Sequence, residues 1–490
     1  MSDYETVIGI ETHAQLCTAS KMFCRCQVPA SAVGGGDSQQ PSPPNSLVCP
    51  VCLGMPGALP VANRQAVEQV LIAALALNCR IPERSWFDRK NYHYPDLPKG
   101  YQISQSQSPL GRNGWIDIQV DATIKRIAIS DVHLEEDTGK LTHVGGSSLI
   151  DFNRSGVPLM EIVTAPDMSS VDEVREYALE LRRLLRYLGL CSGNMEQGAM
   201  RFEANVSIRP QGSSTLGARV EIKNLNSFRA LLRSVEYEIE RQQRALQQGL
   251  PIDRETRGWD EEKGVTYVQR SKETAEDYRY FPEPDLPVLE IDTVWVERLR
   301  QQMAELPQQR RTRFASQYGL SPYEIALLTE DRDTAEYFEA AANAGRELDI
   351  SPKVAANWIT GDLFGLLNAA HRDIGDVRIP PRQLVELLAL LAENAINIPT
   401  AKHVLRVMFE TGQAPKEIVV AEGLGQIADR DRLASLADSV LDAHPDIVAQ
   451  YKGGKQTVLR FLVGQVMKAT QGRADPQLAS QLLEEKLRSA

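Results

Sequence analysis

The sequence predicts an α+β protein that continues into all-helical modules, and three observations carry that expectation. Up to about residue 292, apolar and polar residues alternate in short runs broken by Gly, Pro and Asn, with few helical stretches among them. The segment Phe281-Pro-Glu-Pro-Asp-Leu-Pro287 then punctuates the chain, and from Trp295 onward nearly every segment carries helical periodicity. At roughly 100–200 residues per domain, 490 residues imply two to four domains. The expected division is 1–292, 293–410 and 411–490.

The first strand is read over Thr6 to Leu16. Ile8, Ile10, Thr12, Ala14 and Leu16 fall on one side and Val7, Gly9, Glu11, His13 and Gln15 on the other. Glu11 and His13 are therefore neighbours on one face, suited to a shared metal or a phosphate-binding floor. Next come Cys24-Arg-Cys26 and Cys49-Pro-Val-Cys52, separated by twenty-two residues that include Gly34-Gly-Gly36 and a Ser/Pro/Gln stretch to Pro44. Two close pairs across a flexible loop suit a tetrahedral Cys₄ zinc knuckle, each short spacing letting two thiolates reach one ion at ~2.3 Å. Four thiolates saturate the metal, so such a site is structural; unrelated buried thiols are the alternative. Cys17, Cys79 and Cys191 have no such partners and read as packing residues.

A helix is expected from about Arg64 to Leu77. Beyond it, Glu135-Glu136-Asp137 follows Val132-His-Leu, and Glu161 sits inside the apolar run Val157 to Val163. An acid in so apolar a strand needs a partner, and a divalent cation is one. Ser170 and Glu173 form a capping box ahead of a helix through Leu188, with Gly189 to stop it. In Arg201 to Arg209, Phe202, Ala204, Val206 and Ile208 point inward while Arg201, Glu203, Asn205, Ser207 and Arg209 point out. Ala218 to Lys223 repeats the pattern, with Arg219, Glu221 and Lys223 on one side. A helix follows over about Ser227 to Leu246, and these helices are expected to back a sheet. Two short helices, one through Val458 to Met467 and one after Asp475-Pro476, close the chain, with Gly472 in the turn between them.

Three strands thus each present carboxylates beside His, Arg, Lys or Asn. An ordinary solvated sheet face explains mixed charge too, but converging acids on Mg²⁺ with Arg and Lys nearby are the parts that hold a nucleoside triphosphate for phosphoryl transfer. There is no G-x-x-x-x-G-K-[ST] loop, which excludes a P-loop enzyme. Gly145-Gly-Ser-Ser148 lacks the longer Ser/Gly block and catalytic lysine of amidases and reads as a turn.

The net charge of −11 excludes a uniformly basic nucleic-acid coat. From Asp446 to Ala490, however, seven Lys/Arg face four acids, a balance that fits either RNA contact or a solvated helical surface. The longest apolar stretches, such as Val70 to Leu77, fall short of the ~20 residues of a membrane span, and the N-terminus shows no basic signal-peptide region. A cytoplasmic protein without a membrane partner is expected.

Long segments carry a family likeness. They include Tyr4-Glu-Thr-Val-Ile-Gly-Ile-Glu-Thr-His13, Phe87-Asp-Arg-Lys-Asn-Tyr-His-Tyr-Pro-Asp96, Tyr101-Gln-Ile-Ser-Gln105 and His133-Leu-Glu-Glu-Asp-Thr-Gly-Lys140. Val157-Pro-Leu-Met-Glu-Ile-Val163, Glu221-Ile-Lys-Asn-Leu-Asn-Ser-Phe228, Asp277-Tyr-Arg-Tyr-Phe-Pro-Glu-Pro-Asp285 and Phe461-Leu-Val-Gly-Gln-Val-Met-Lys-Ala469 belong with them. Together they closely resemble the B subunits of the glutamine-dependent aspartyl/glutamyl-tRNA amidotransferases of the bacterial and organellar type.

The resemblance implies a glutamine synthetase-like cradle domain, then a helical domain and a small helical tail domain that binds tRNA. It implies ATP-dependent phosphorylation and amidation of the side-chain carboxylate of Glu-tRNA(Gln) or Asp-tRNA(Asn). Ammonia would come from the glutaminase of the complex, its amidase or A subunit, and a small third protein, the C subunit, would complete the assembly. Its metal and ATP cradle falls on Glu11, His13, Glu136, Glu161, Glu203 and Glu221. Of these, Glu11, Glu136, Glu203 and Glu221 are expected to hold Mg²⁺ and ATP and His13 with Glu161 to complete a second site, so that His13 and Glu136 both count as Mg²⁺ ligands. Where the family often has Asp, this chain has the longer Glu203. Lys90 and Tyr92 are candidates for the ammonia route, and the four cysteines for structural Zn²⁺. The competing readings are a stand-alone ATP-dependent amide ligase of the same fold and a non-catalytic tRNA-binding scaffold.

Overall fold

The computed structural model describes residues 4–29, 42–121, 123–271, 278–425, 430–470 and 474–489. Most of the expected Gly34 to Pro44 loop, Asp277 of the Tyr-rich motif and Gly472 lie outside the described residues. The chain divides into two compact units, Met1–Leu306 and Pro307–Ala490.

In the first unit, strands β1 (Tyr4–Gln15), β5 (Gly111–Val120), β6 (Thr123–Glu136), β9 (Pro158–Thr164), β10 (Met200–Pro210), β11 (Val220–Leu225), β12 (Glu255–Asp260) and β13 (Val265–Ser271) form one sheet. Their spatial order is β13-β12-β11-β10-β1-β9-β6-β5. All neighbours are antiparallel except β11 and β12, which run parallel. Short strands β2 (Arg84–Ser85), β3 (Asp88–Asn91), β4 (Tyr101–Ser104), β14 (Phe281–Pro282) and β15 (Leu289–Glu290) build two small sheets, and β7 (Lys140–Val144) with β8 (Ser147–Asp151) makes a hairpin.

One face of the large sheet is apolar because alternate residues are. Ile8 and Ile10 of β1, Met160 and Ile162 of β9 and Phe202, Ala204 and Val206 of β10 are buried there. Helices α1 (Arg64–Ala76), α2 (Val171–Tyr187) and α3 (Phe228–Gln247) supply the other half of this core. Asn63, Ser170 and Ser227 cap them by accepting hydrogen bonds from first-turn amides. Glu173 closes the box one residue earlier than the spacing predicts, accepting from Ser169 N at 2.5 Å. Gly189 ends α2 at φ +67°, in the left-handed region that a glycine tolerates.

The texture change after Pro287 does not coincide with the edge of the first unit. Helix α4 (Thr293–Gln302) packs on α1 with Leu299 in the first core, so that unit runs to Leu306. Helical periodicity reports local conformation, and which core receives the helix is decided by packing. The second unit is helical and holds two apolar clusters, one from Phe314 to Ile418 and one from Leu433 to Leu487. No helix among the described residues is long and apolar enough to cross a membrane.

Candidate functional site

The face of the large sheet opposite the helices carries the acids. Register sets them side by side: Glu11 on β1 pairs with Glu203 on β10, His13 with Glu161 on β9, and Glu161 again with His133 on β6. Glu221 on β11 lies one strand further out, opposite Asn205. Two sets result. Glu11, Glu203 and Glu221 bring one oxygen each within 4.8 Å of one another, and so do the ligand atoms of His13, Glu135 and Glu161.

Strand β6 decides which of the consecutive acids joins the second set. Its buried apolar residues are Ile127 and Ile129 before Asp131 but Val132 and Leu134 after it, because its register against β9 shifts between Ile129 and Asp131. The shift turns Asp131, His133 and Glu135 onto the acidic face. Glu136, expected among the metal ligands, consequently points the other way. It pairs with Lys99 and accepts Ile103 N at 3.0 Å. Lys99, Glu136, Lys21, Phe23, Cys24 and Cys52 line a separate chamber of about 150 Å³.

Electrostatics distinguish the two sets. Burial would raise the Glu161 carboxyl, but His133 Nε2 at 3.1 Å and His13 Nε2 at 3.5 Å hold it well below its ordinary range. His13 in turn is pushed up to about 9, since the charges of Glu161, Glu203 and Glu135 outweigh its burial. His133 is held on its far side by Asp131, Nδ1 to Oδ1 2.8 Å. In the first set, burial and the charges of Glu161 and Glu203 raise Glu11. Its anion is balanced locally by Asn205, whose Nδ2 donates to it at 2.8 Å. Lys223 spans Glu203 and Glu221 at 2.8 and 3.2 Å, and Thr256 donates to Glu221 at 2.9 Å.

Mutually repelling carboxylates, two half-buried and one buried, together with a buried Asn205 Oδ1 that has no hydrogen-bond donor, are the donor set a hard divalent cation needs. The residues present therefore fit Mg²⁺. Lys90 on β3 lies beside this face, its ammonium 5.0 Å from the Tyr278 ring and 5.9 Å from the Tyr92 ring; burial would lower it, but the negative groups around it, Glu135 foremost and Glu161 among them, together raise it. Asp137, next along from Glu136, is fixed by Gln15 Nε2 at 2.7 Å and Arg201 Nη2 at 3.2 Å.

The four cysteines converge as the spacing predicts. Their sulfurs all lie within 4.8 Å of one another, and Cys49 Sγ is 3.9 Å from Cys52 Sγ. The edge of a tetrahedron with ~2.3 Å metal–sulfur bonds is about 3.8 Å, so the cluster fits Zn²⁺. The hydrogen bond from Cys24 draws the Cys52 thiol well below its usual range. Periodicity alone misses four contributors. Glu135, His133 and Asp131 are hidden by the shift in β6, and Thr256 is a neutral hydroxyl between Glu255 and Arg257 that alternation does not single out.

An α+β unit with an acid-lined sheet face, a thiol knuckle and appended helical modules is thus the class that the fold and site define. Residues 6–297 match the family described as GatB/GatE catalytic domain and residues 336–487 the GatB domain. The chain is 51% identical over 489 residues to the B subunit of the aspartyl/glutamyl-tRNA(Asn/Gln) amidotransferase of Moorella thermoacetica, covering 99% of this chain and 100% of that one. To the protein of the same description from Carboxydothermus hydrogenoformans it is 49% identical over 492 residues, 99% of each chain being covered. The chain belongs to the GatB family.

Proposed function

We propose that the chain is the component of a glutamine-dependent ligase that amidates the side-chain carboxylate of Glu on tRNA(Gln) or Asp on tRNA(Asn). The observation that carries this reading is the pair of carboxylate sets on one sheet face, in a chain related end to end to B subunits of that name. A carboxylate is a poor acyl donor because an oxide would have to leave. ATP supplies the phosphoryl group that makes the substrate's side chain a competent donor, and a bound divalent cation offsets charge on its phosphates.

The chain's own residues have separable tasks in this reading. Glu11, Glu203 and Glu221, with Asn205 Oδ1, would hold one Mg²⁺; His13, Glu135 and Glu161 would hold a second. Asp131 and His133 orient Glu161, and Thr256 orients Glu221. Lys90 and Tyr92 line the approach for ammonia released from glutamine in the amidase partner, the A subunit, with a small C subunit completing a cytoplasmic complex. The Cys₄ site holds structural Zn²⁺, the first unit is the glutamine synthetase-like cradle, and the last helices bind the tRNA.

The assembled complex is to be supplied with ATP, Mg²⁺, glutamine and mischarged tRNA, and the aminoacyl group is identified after deacylation. Amide is expected only when all four are present. Amidation of free glutamate at a comparable rate without tRNA would overturn the reading in favour of a stand-alone ligase.

A further inference from the structure

One of the two acidic sets already contains a positive group. Lys223 leaves β11 two residues after Glu221, on the same face, and its ammonium lies 2.8 Å from Glu203 Oε2 and 3.2 Å from Glu221 Oε1. The nearest Glu11 oxygen is within 4.8 Å of both partner carboxylates. The ammonium therefore occupies the side of the carboxylates from which a divalent cation would be ligated, and two like charges cannot share that position.

Two other cations on this face have no comparable freedom. Arg201 is tied to the buried Asp137 at 3.2 Å. Lys90 is enclosed by the Tyr92 and Tyr278 rings. The Lys223 side chain is 36% exposed and its four-carbon stem is flexible, which gives the ammonium a route away from the carboxylates toward solvent.

We propose that Lys223 is an internal stand-in for the metal at the Glu11–Glu203–Glu221 site. It holds the carboxylates together while no divalent cation is bound. When one enters, the ammonium is displaced toward the anionic phosphate oxygens of the nucleoside triphosphate. This role rests on the metal-binding reading of the face, and its test separates the two.

Mn²⁺ is titrated into the assembled complex without nucleotide, and free Mn²⁺ is followed by electron paramagnetic resonance for the wild type, Lys223→Met and Lys223→Arg. Loss of the competing ammonium, which makes charge-assisted bonds, should tighten Mn²⁺ binding in Lys223→Met by about tenfold, with Lys223→Arg close to the wild type. In amidation, Lys223→Met should raise the KM for ATP. A lysine that merely braces the strand gives the opposite sign, so unchanged or weakened Mn²⁺ binding in Lys223→Met overturns the proposal. Glutaminase activity serves as the assembly check; should Lys223→Met fail it, Lys223→Gln takes its place under the same criteria. A wild type that binds no Mn²⁺ would instead overturn the metal reading of the face, and this role with it.

Discussion

In the metal-free protein, His13 should make the first unit less stable as pH rises. Burial favours its neutral form, but Glu161, Glu203 and Glu135 raise its pKa from 6.5 to about 9. A histidine raised in the folded state contributes stability that is complete below pH 6.5 and is lost as pH climbs through about 9. At roughly 1.4 kcal/mol per pH unit, that interval corresponds to about 3 kcal/mol. For a unit of about 300 residues, whose unfolding entropy is roughly 0.6 kcal/mol/K, the change in Tm is about 5 °C. The assay is thermal unfolding of the full-length chain in chelator from pH 6.5 to 9.5, wild type against His13→Gln, which keeps a donor toward Glu161 but does not titrate. The wild type should lead by about 5 °C at pH 6.5 and lose that lead by pH 9.5. Taking the difference cancels the cysteine titrations common to both proteins. A gap that stays constant over the interval refutes the argument. Saturating Mn²⁺ should reverse the trend, because metal ligation requires the neutral imidazole.

Three other outcomes follow from the same geometry. Glu135→Gln should weaken Mn²⁺ binding at the His13 set about tenfold or more while Glu136→Gln leaves it unchanged; equal losses in a Mn²⁺ titration would show that the parity of β6 does not separate the two acids. Cys26→Ser should lower zinc, measured by inductively coupled plasma mass spectrometry, from one ion per chain to near zero, and retention of a full equivalent would exclude the Cys₄ site. Truncation after Gly425 removes the Leu433 to Leu487 cluster but spares the one that ends at Ile418, so affinity for mischarged tRNA should fall with glutaminase activity retained; undiminished affinity would leave the basic tail a solvated surface.

Much of the site is legible in the sequence because strand alternation has an exact period of two. That period places Glu11 and His13 on one face of β1, Glu203 and Asn205 on one face of β10, and Glu221 with Lys223 on β11, and the register sets all of them on the same side of the sheet. Glu161 is legible for another reason, as a lone acid in an apolar strand whose charge His13 and His133 balance. The period fails at β6. A single irregularity near Ser130 exchanges inside for outside over the next six residues, and no turn-forming Gly or Pro marks it. Helix caps are similarly local and visible, whereas the first unit's limit is not, since Leu299 packing onto α1 is a contact between segments more than 200 residues apart.

The two consecutive acids of β6 also explain why the thiol knuckle belongs to this unit. Glu135 and Glu136 are joined by one peptide bond, yet one faces the sheet's acidic surface and the other the chamber walled by Cys24 and Cys52. Buried at 3% exposure, Glu136 is held by its pair with Lys99 and by the Ile103 amide it accepts, so displacing Lys99 would leave a buried carboxyl short of a partner. Lys99 is itself positioned over the rings of Phe23, at 5.9 Å, and Tyr101, at 5.6 Å. Phe23 adjoins Cys24, so the knuckle fixes the wall against which that pair is held. A strand that presents ligands on one face at the ångström level needs its other face closed with equal rigidity. At the end of β6 that closure comes from a loop whose four thiols converge, and whatever ties those thiols together also steadies the backbone that carries Glu135.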